Sequence, residues 1–98
     1  MRKVALPQMV AGRDLADEVV DSLGALAGEM VFVDATGLVV GAPSFAAQLV
    51  ERVLVAGGAA RLTINGAPHD FVDYVRSAAE RLDVANRVAV ERIAEPVH

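Results

Sequence analysis

Apolar and polar residues follow two rhythms along this chain. Short runs are apolar at every position or every second one, and longer runs bring an apolar residue back every three or four positions. The first rhythm is that of strands and the second that of amphipathic helices. Lys3 to Leu6 forms a first strand, stopped by Pro7, which has no amide proton to donate and restricts the residue before it. From Arg13 to Ala27, the residues Leu15, Val19, Leu23 and Leu26 recur at spacings of four, four and three, with Asp14, Asp17, Glu18 and Asp21 set mostly between them. That pattern predicts a helix whose early carboxylates face the positive end of its dipole, with Gly28 where a left-handed C-terminal residue is needed. Met30 to Val33 is apolar on both alternations, as expected of a central strand covered on two faces, and Asp34 closes it.

After the turn Asp34-Ala35-Thr36-Gly37, the segment Leu38-Val39-Val40 is too short for a helix and continues extended to Gly41. Pro43 suits a first helical position, where its missing N–H costs no hydrogen bond, and Phe45, Leu49, Val53 and Leu54 form the buried stripe that follows. Gly57-Gly58 ends this helix. Arg61 to Asn65 alternates as a half-buried strand, with Asn65-Gly66 marking its exit. Pro68 opens a helix to Asp83 built on Phe71, Val75, Ala79 and Leu82. Arg87 to Ile93 then alternates with Val88 and Val90 on one face, and Glu95-Pro96 terminates it. The order β-α-β-α-β-α-β predicts an α/β domain. Its sheet is four-stranded and mostly parallel, with about three packed helices and right-handed crossovers, and the edge strand at the start is open to antiparallel pairing.

A chain of 98 residues supports one domain, spanning 1–98. Its apolar fraction, 54%, is mostly Ala and Val with three Phe, one Tyr and no Trp, so its layers must approach through small side chains. A formal charge of −4 disfavours binding to nucleic acid, which rests on neutralising phosphates. Without cysteine there is no disulfide framework, thiolate nucleophile or Cys-ligated zinc. Mean hydropathy is positive, yet charges recur every few residues, and no run approaches the roughly 20 apolar residues of a membrane span. Arg13 and Asp14 interrupt any signal-peptide pattern, so the expectation is a cytoplasmic protein with no membrane partner.

Reactive side chains are sparse. One Lys stands at position 3, His98 is the last residue, and His69 lies at a helix start beside Asp70 as a solvated turn residue. No Ser/His/Asp constellation is evident, so no catalytic residue is assigned. The carboxylates are spread along helix faces rather than clustered for a metal. Gly37 to Gly41 matches neither phosphate-binding glycine spacing, and no cofactor is expected. Asp34 at a strand end would serve as a phosphoacceptor only with an acidic pair near the first strand to hold magnesium, and Val4 to Leu6 offers none.

The run from Val33-Asp34-Ala35-Thr36-Gly37 through Gly41-Ala42-Pro43-Ser44-Phe45-Ala46, followed by the helix through Leu54, Gly57-Gly58 and a strand ending at Asn65, resembles STAS-type domains. It is most similar to small bacterial STAS-like proteins of uncharacterised role, in which a strand ends in Asp, a short extended segment follows, and a Ser-Phe pair opens the next helix. The resemblance runs from about Gly12-Arg13-Asp14 to Val90. It implies relatedness to anti-sigma factor antagonists, which switch partners when a kinase phosphorylates the first Ser of an Asp-Ser-Ser-Gly type turn. Here Ala42 replaces the acidic residue and Pro43 the usual acceptor, leaving Ser44 as the candidate phosphoacceptor.

The resemblance thus implies a non-catalytic protein–protein interaction module in bacterial signalling or transcriptional regulation, whose partner is an anti-sigma or histidine-kinase-like ATPase. The expected contact is Gly41, Ala42, Pro43, Ser44 and Phe45, with the Asn65-Gly66 loop. Small side chains there let another backbone come close, and a helix start leaves amide donors free. Two rivals stay open. A small-ligand or enzymatic domain would use the strand-end crevice near Asp34, Thr36 and Asn65, and a homo-oligomer would pair an apolar helix face or a free edge strand with a second copy.

Overall fold

Four of the expected apolar runs come together as one sheet in the computed structural model, which describes residues 1–94. Its strands are β1 (Arg2–Ala5), β3 (Met30–Asp34), β5 (Arg61–Pro68) and β6 (Val88–Ala94), in the spatial order β1-β3-β5-β6. Every pairing is parallel, β1 included, with Lys3 opposite Phe32, Phe32 opposite Thr63 and Thr63 opposite Ala89. The antiparallel option for the first strand is therefore corrected. The long passage from β1 to β3 through a helix returns the chain to the same end of the sheet, which a parallel neighbour requires. The stop expected at Glu95-Pro96, and His98, lie outside the described residues.

The helices are α1 (Gly12–Asp21), α2 (Pro43–Val50) and α3 (His69–Arg81), and α2 packs against both of the others. When strands follow one another across a parallel sheet, crossovers of one hand place every helix on the same face. Side chains alternate accordingly. Val33 and Ile64, with Val31 and Leu62, point into a core shared with Phe45, Leu49, Phe71 and Val75, all at most 1% exposed. On the other face Met30 is 48% exposed, Phe32 is half-buried, and the Lys3 ammonium stands 5.4 Å from the Phe32 ring centroid. The central place expected for Met30–Val33 is what the sheet has; the expected cover on both faces is not. Val88 and Val90 do share the helix-side face, opposite Leu62 and Ile64.

Three boundaries depart from the periodic pattern. Helix α1 stops at Asp21 rather than Ala27, because the Ser22 hydroxyl donates to the Val19 carbonyl at 2.6 Å and tight turns follow, with the amides of Leu23 and Gly24 on the carbonyls of Val20 and Asp21. Leu23 and Leu26 are buried from the loop instead. Helix α2 passes into a π-helical segment, Glu51–Ala56, whose Val53 and Leu54 remain in the core. Strand β5 does not leave the sheet at Asn65 but runs on to Pro68, its pairing with β6 shifting register on both sides of Asn65.

Two polar contacts fasten the helical layer. Arg52 on the π-helical segment donates to Asp17 and to Asp21 of α1, each at 2.7 Å, and Gln48 donates to Asp17 at 2.9 Å. The Gln48 amide first, and then Arg52, hold the Asp17 carboxyl below the usual carboxylate range, against a smaller opposing effect of burial. Arg87, in the 3₁₀ turn Ala85–Arg87 before β6, donates to the carbonyls of Leu54, at 2.8 Å, and Ala59. It thus donates to one carbonyl within the last turns of the π-helical segment and to one just beyond its end.

Candidate functional site

The loops that leave β1 and β3 at the C-terminal edge of the sheet run side by side before each turns into a helix. They form a two-stranded parallel sheet of their own, β2 (Met9–Val10) with β4 (Val40–Gly41). The amides of Val39 and Val40 reach the Gln8 carbonyl at 2.7 and 3.0 Å, and the Ala42 amide reaches that of Val10 at 2.9 Å. Sequence reading found the extended piece at Leu38–Val40 but missed β2. The signal available was Met9-Val10, a two-residue apolar pair between Pro7 and Gly12, too short to read as a strand on its own.

This pairing delivers the chain to α2 with Ala42 extended (φ −80°, ψ 147°) as N-cap and Pro43 in the first turn, as the sequence predicts, and with no side chain capping the helix start. Pro43 and Ser44 are exposed, while Gly41, Ala42 and Asn65 are half-buried. Phe45 and Gly66 are different. Phe45 is 0% exposed, its ring centroid 6.1 Å from that of Phe71 with the planes tilted by 41°. It anchors α2 to α3 in the core and cannot itself be touched by a partner. Gly66 is buried inside β5 at φ +77°, and a β-carbon there would lie 2.5 Å from the Thr36 methyl. The Asn65-Gly66 step is thus a bulge within a strand, which a left-handed glycine accommodates without ending the ladder, and not an exposed loop.

Beside this contact lie Asp34, Thr36 and Asn65. Asp34 and Asn65 are register partners on β3 and β5. One carboxylate oxygen of Asp34 accepts both the Thr36 hydroxyl, at 2.6 Å, and the Thr36 amide, at 3.0 Å. The hydroxyl first, then the amide and more weakly the charge of Lys3, hold this carboxyl below its ordinary range despite some burial. The arrangement is an Asx turn that shapes the β3 exit.

Large apolar side chains crowd the outside of the corner: Met9 is 65% exposed, Val39 67% and Val40 55%. Beside them a cavity of about 170 Å³ opens between β4 and the start of α3, lined by Val39, Val40, Gly41, Pro68, Asp70, Phe71 and Tyr74. Gly41 forms its floor against Phe71. A larger cavity, about 310 Å³, lies apart from this corner, where Arg52 and Asp21 meet the loop after α1. His69 sits at the first position of α3, exposed, 3.3 Å from Asp73 on its own helix. Among the described residues no group of three His, Cys, Asp or Glu side chains could hold a metal ion, and no helix is long and apolar enough to cross a membrane. No family model, curated protein or solved structure matches this chain.

Proposed function

We propose that this chain is a docking module that acts by binding another protein at the corner built from β2, β4 and the start of α2. One observation carries the reading. Met9, Val39 and Val40, three of the most exposed large apolar side chains, gather next to exposed Pro43 and Ser44 on a small, rigidly paired platform. Apolar side chains held together in water in this way mark interaction surfaces. The STAS-like resemblance of the sequence points to an anti-sigma or histidine-kinase-like ATPase as the partner and to a role in bacterial signalling or transcriptional control. Ser44 is the hydroxyl such a kinase would reach. A phosphate placed there sits at the start of α2, where Pro43 contributes no amide and those of Ser44 and Phe45 have no helical partner.

The test is a titration of the purified full chain against a purified ATPase of that class, read by calorimetry. Val40→Asp and Ser44→Asp each weaken binding by at least tenfold while their unfolding midpoints stay near that of the parent. Binding that both variants leave unchanged moves the interface away from this corner and refutes the reading.

A further inference from the structure

The corner carries a groove whose size and charge specify what enters it. We propose that the groove between β4 and α3 receives a single aromatic or branched apolar side chain of a protein partner, and that a basic residue next to that side chain meets Asp70. This rests on the corner being a docking surface and names the chemistry it selects.

Size comes first. The groove holds about 170 Å³, and an apolar protein cavity of about 150 Å³ is known to accept benzene. It therefore takes one ring or one branched aliphatic group, and a helix or a second strand does not fit. Its depth comes from Gly41: a β-carbon there would collide with the Phe71 ring, so ring and strand are already in contact and close the floor. Its walls are mainly apolar, with Val39 and Val40 on one side and Pro68 with the half-buried Tyr74 ring on the other. A partner side chain inserted here becomes a desolvated anchor, the kind of contact that dominates interface energies.

Charge comes second. Of the described residues lining the groove only Asp70 is charged. Its carboxylate is exposed at the rim and takes part in no ion pair or side-chain hydrogen bond among the described residues. Asp73, one turn further along α3, is a second exposed carboxylate outside the groove, already 3.3 Å from His69, and the chain as a whole carries −4. A cation beside the anchor meets Asp70, whereas an acidic neighbour is repelled.

The experiment uses the full chain, labelled with nitrogen-15, and four acetylated, amidated tetrapeptides: Ala-Phe-Arg-Ala, Ala-Leu-Arg-Ala, Ala-Ala-Arg-Ala and Ala-Phe-Glu-Ala. Amide shifts are followed at millimolar peptide. The Phe-Arg and Leu-Arg peptides produce saturable shifts confined to Val39–Gly41 and Phe71–Tyr74, and the Ala-Arg and Phe-Glu peptides bind more weakly. Asp70→Asn weakens the Phe-Arg peptide roughly two- to fivefold, the range of an exposed ion pair, and leaves the Phe-Glu peptide no weaker. Raising the salt concentration has the same effect as that substitution. Equal binding of the Phe-Arg and Phe-Glu peptides, shifts elsewhere, or none at all overturns the proposal. Shifts at the groove that depend on protein concentration without peptide overturn it in favour of a second copy as occupant. If peptide selectivity fails while Val40→Asp still abolishes binding of the ATPase, the corner remains the docking surface and only the groove's chemistry falls.

Discussion

Replacing Gly41 with alanine isolates the contact that shapes the corner. The added methyl overlaps Phe71 Cδ1 and lies 2.9 Å from Cε1 and 3.3 Å from Cγ, whereas non-bonded carbons rest at about 3.5–4.0 Å. Ring and strand must separate by several tenths of an ångström or more. Phe71 is 1% exposed and backed by Phe45 at 0%, so the ring cannot retreat into the core. The strand is held from the other side by the Ala42 amide on Val10. Gly41 is not among the glycines with positive φ, so the penalty is one of packing alone. Overpacking of this kind costs about 1–3 kcal/mol, and the double restraint puts it at about 2–3 kcal/mol. A domain of this size is stable by about 5–15 kcal/mol, so the variant still folds. In urea, where the slope is roughly 1–3 kcal/mol per molar, the midpoint falls by roughly 0.7–3 M at unchanged slope. Phe71→Leu is destabilising on its own through the space it leaves, but it replaces the flat ring that collides with a shorter branched chain that can turn away from the strand. The double variant is therefore more stable than the two single losses add up to, by about 1 kcal/mol or more. A Gly41→Ala midpoint equal to that of the parent, or strict additivity with Phe71→Leu, refutes the reasoning.

Gly66→Ala combines a left-handed backbone position with a clash on the Thr36 methyl and lowers stability by about 2–4 kcal/mol in urea unfolding. Adding Thr36→Ser, which keeps the hydroxyl for Asp34 but removes the methyl, recovers the steric part. Arg87→Met abandons the carbonyls of Leu54 and Ala59 and costs about 2 kcal/mol, with faster amide exchange in the π-helical segment as its local signature. The carboxyls of Asp17 and Asp34 are both lowered in the folded chain. The stability they add is complete above the unfolded carboxylate range, about pH 4, and is lost as the pH falls through their folded values. Urea midpoints taken from pH 6 to pH 2 show this acid-side decline, and Asp17→Asn and Asp34→Asn each make it shallower; an unchanged decline in both refutes the assignment.

Periodicity reports local burial, so the features that depend on it alone were legible. These include the βα alternation, the central place of Met30–Asp34, the start of α2 at Pro43 and the shared face of Val88 and Val90. Strand direction in β1 was not, because Lys3–Leu6 carries no mark of which neighbour it joins. The bare sheet face was not either: Met30 and Phe32 read as doubly covered because an apolar run does not say on which side the crossovers place their helices. Ser22 and Gly24 ended α1 through turn bonds to which the spacing of Leu23 and Leu26 is blind. At the corner, Pro43 and Ser44 are on the surface where the sequence placed a contact. Phe45 and Gly66, assigned to that contact, are spent on packing. The exposed platform at Met9, Val39 and Val40 came from the pairing of two loops about thirty residues apart in the chain, which no local pattern encodes.

In the main sheet each strand lies next to the strand laid down before it, from β1 through β3 and β5 to β6. No strand is inserted between two others that are already paired. Assembly can proceed by accretion, each helix-and-strand unit extending a growing edge, as in a short solenoid. The same ordering leaves both outermost strands with one neighbour each, so opening from either border is the cheapest large excursion this architecture permits. β3 and β5, enclosed by strands on both sides, form the part that must be broken last.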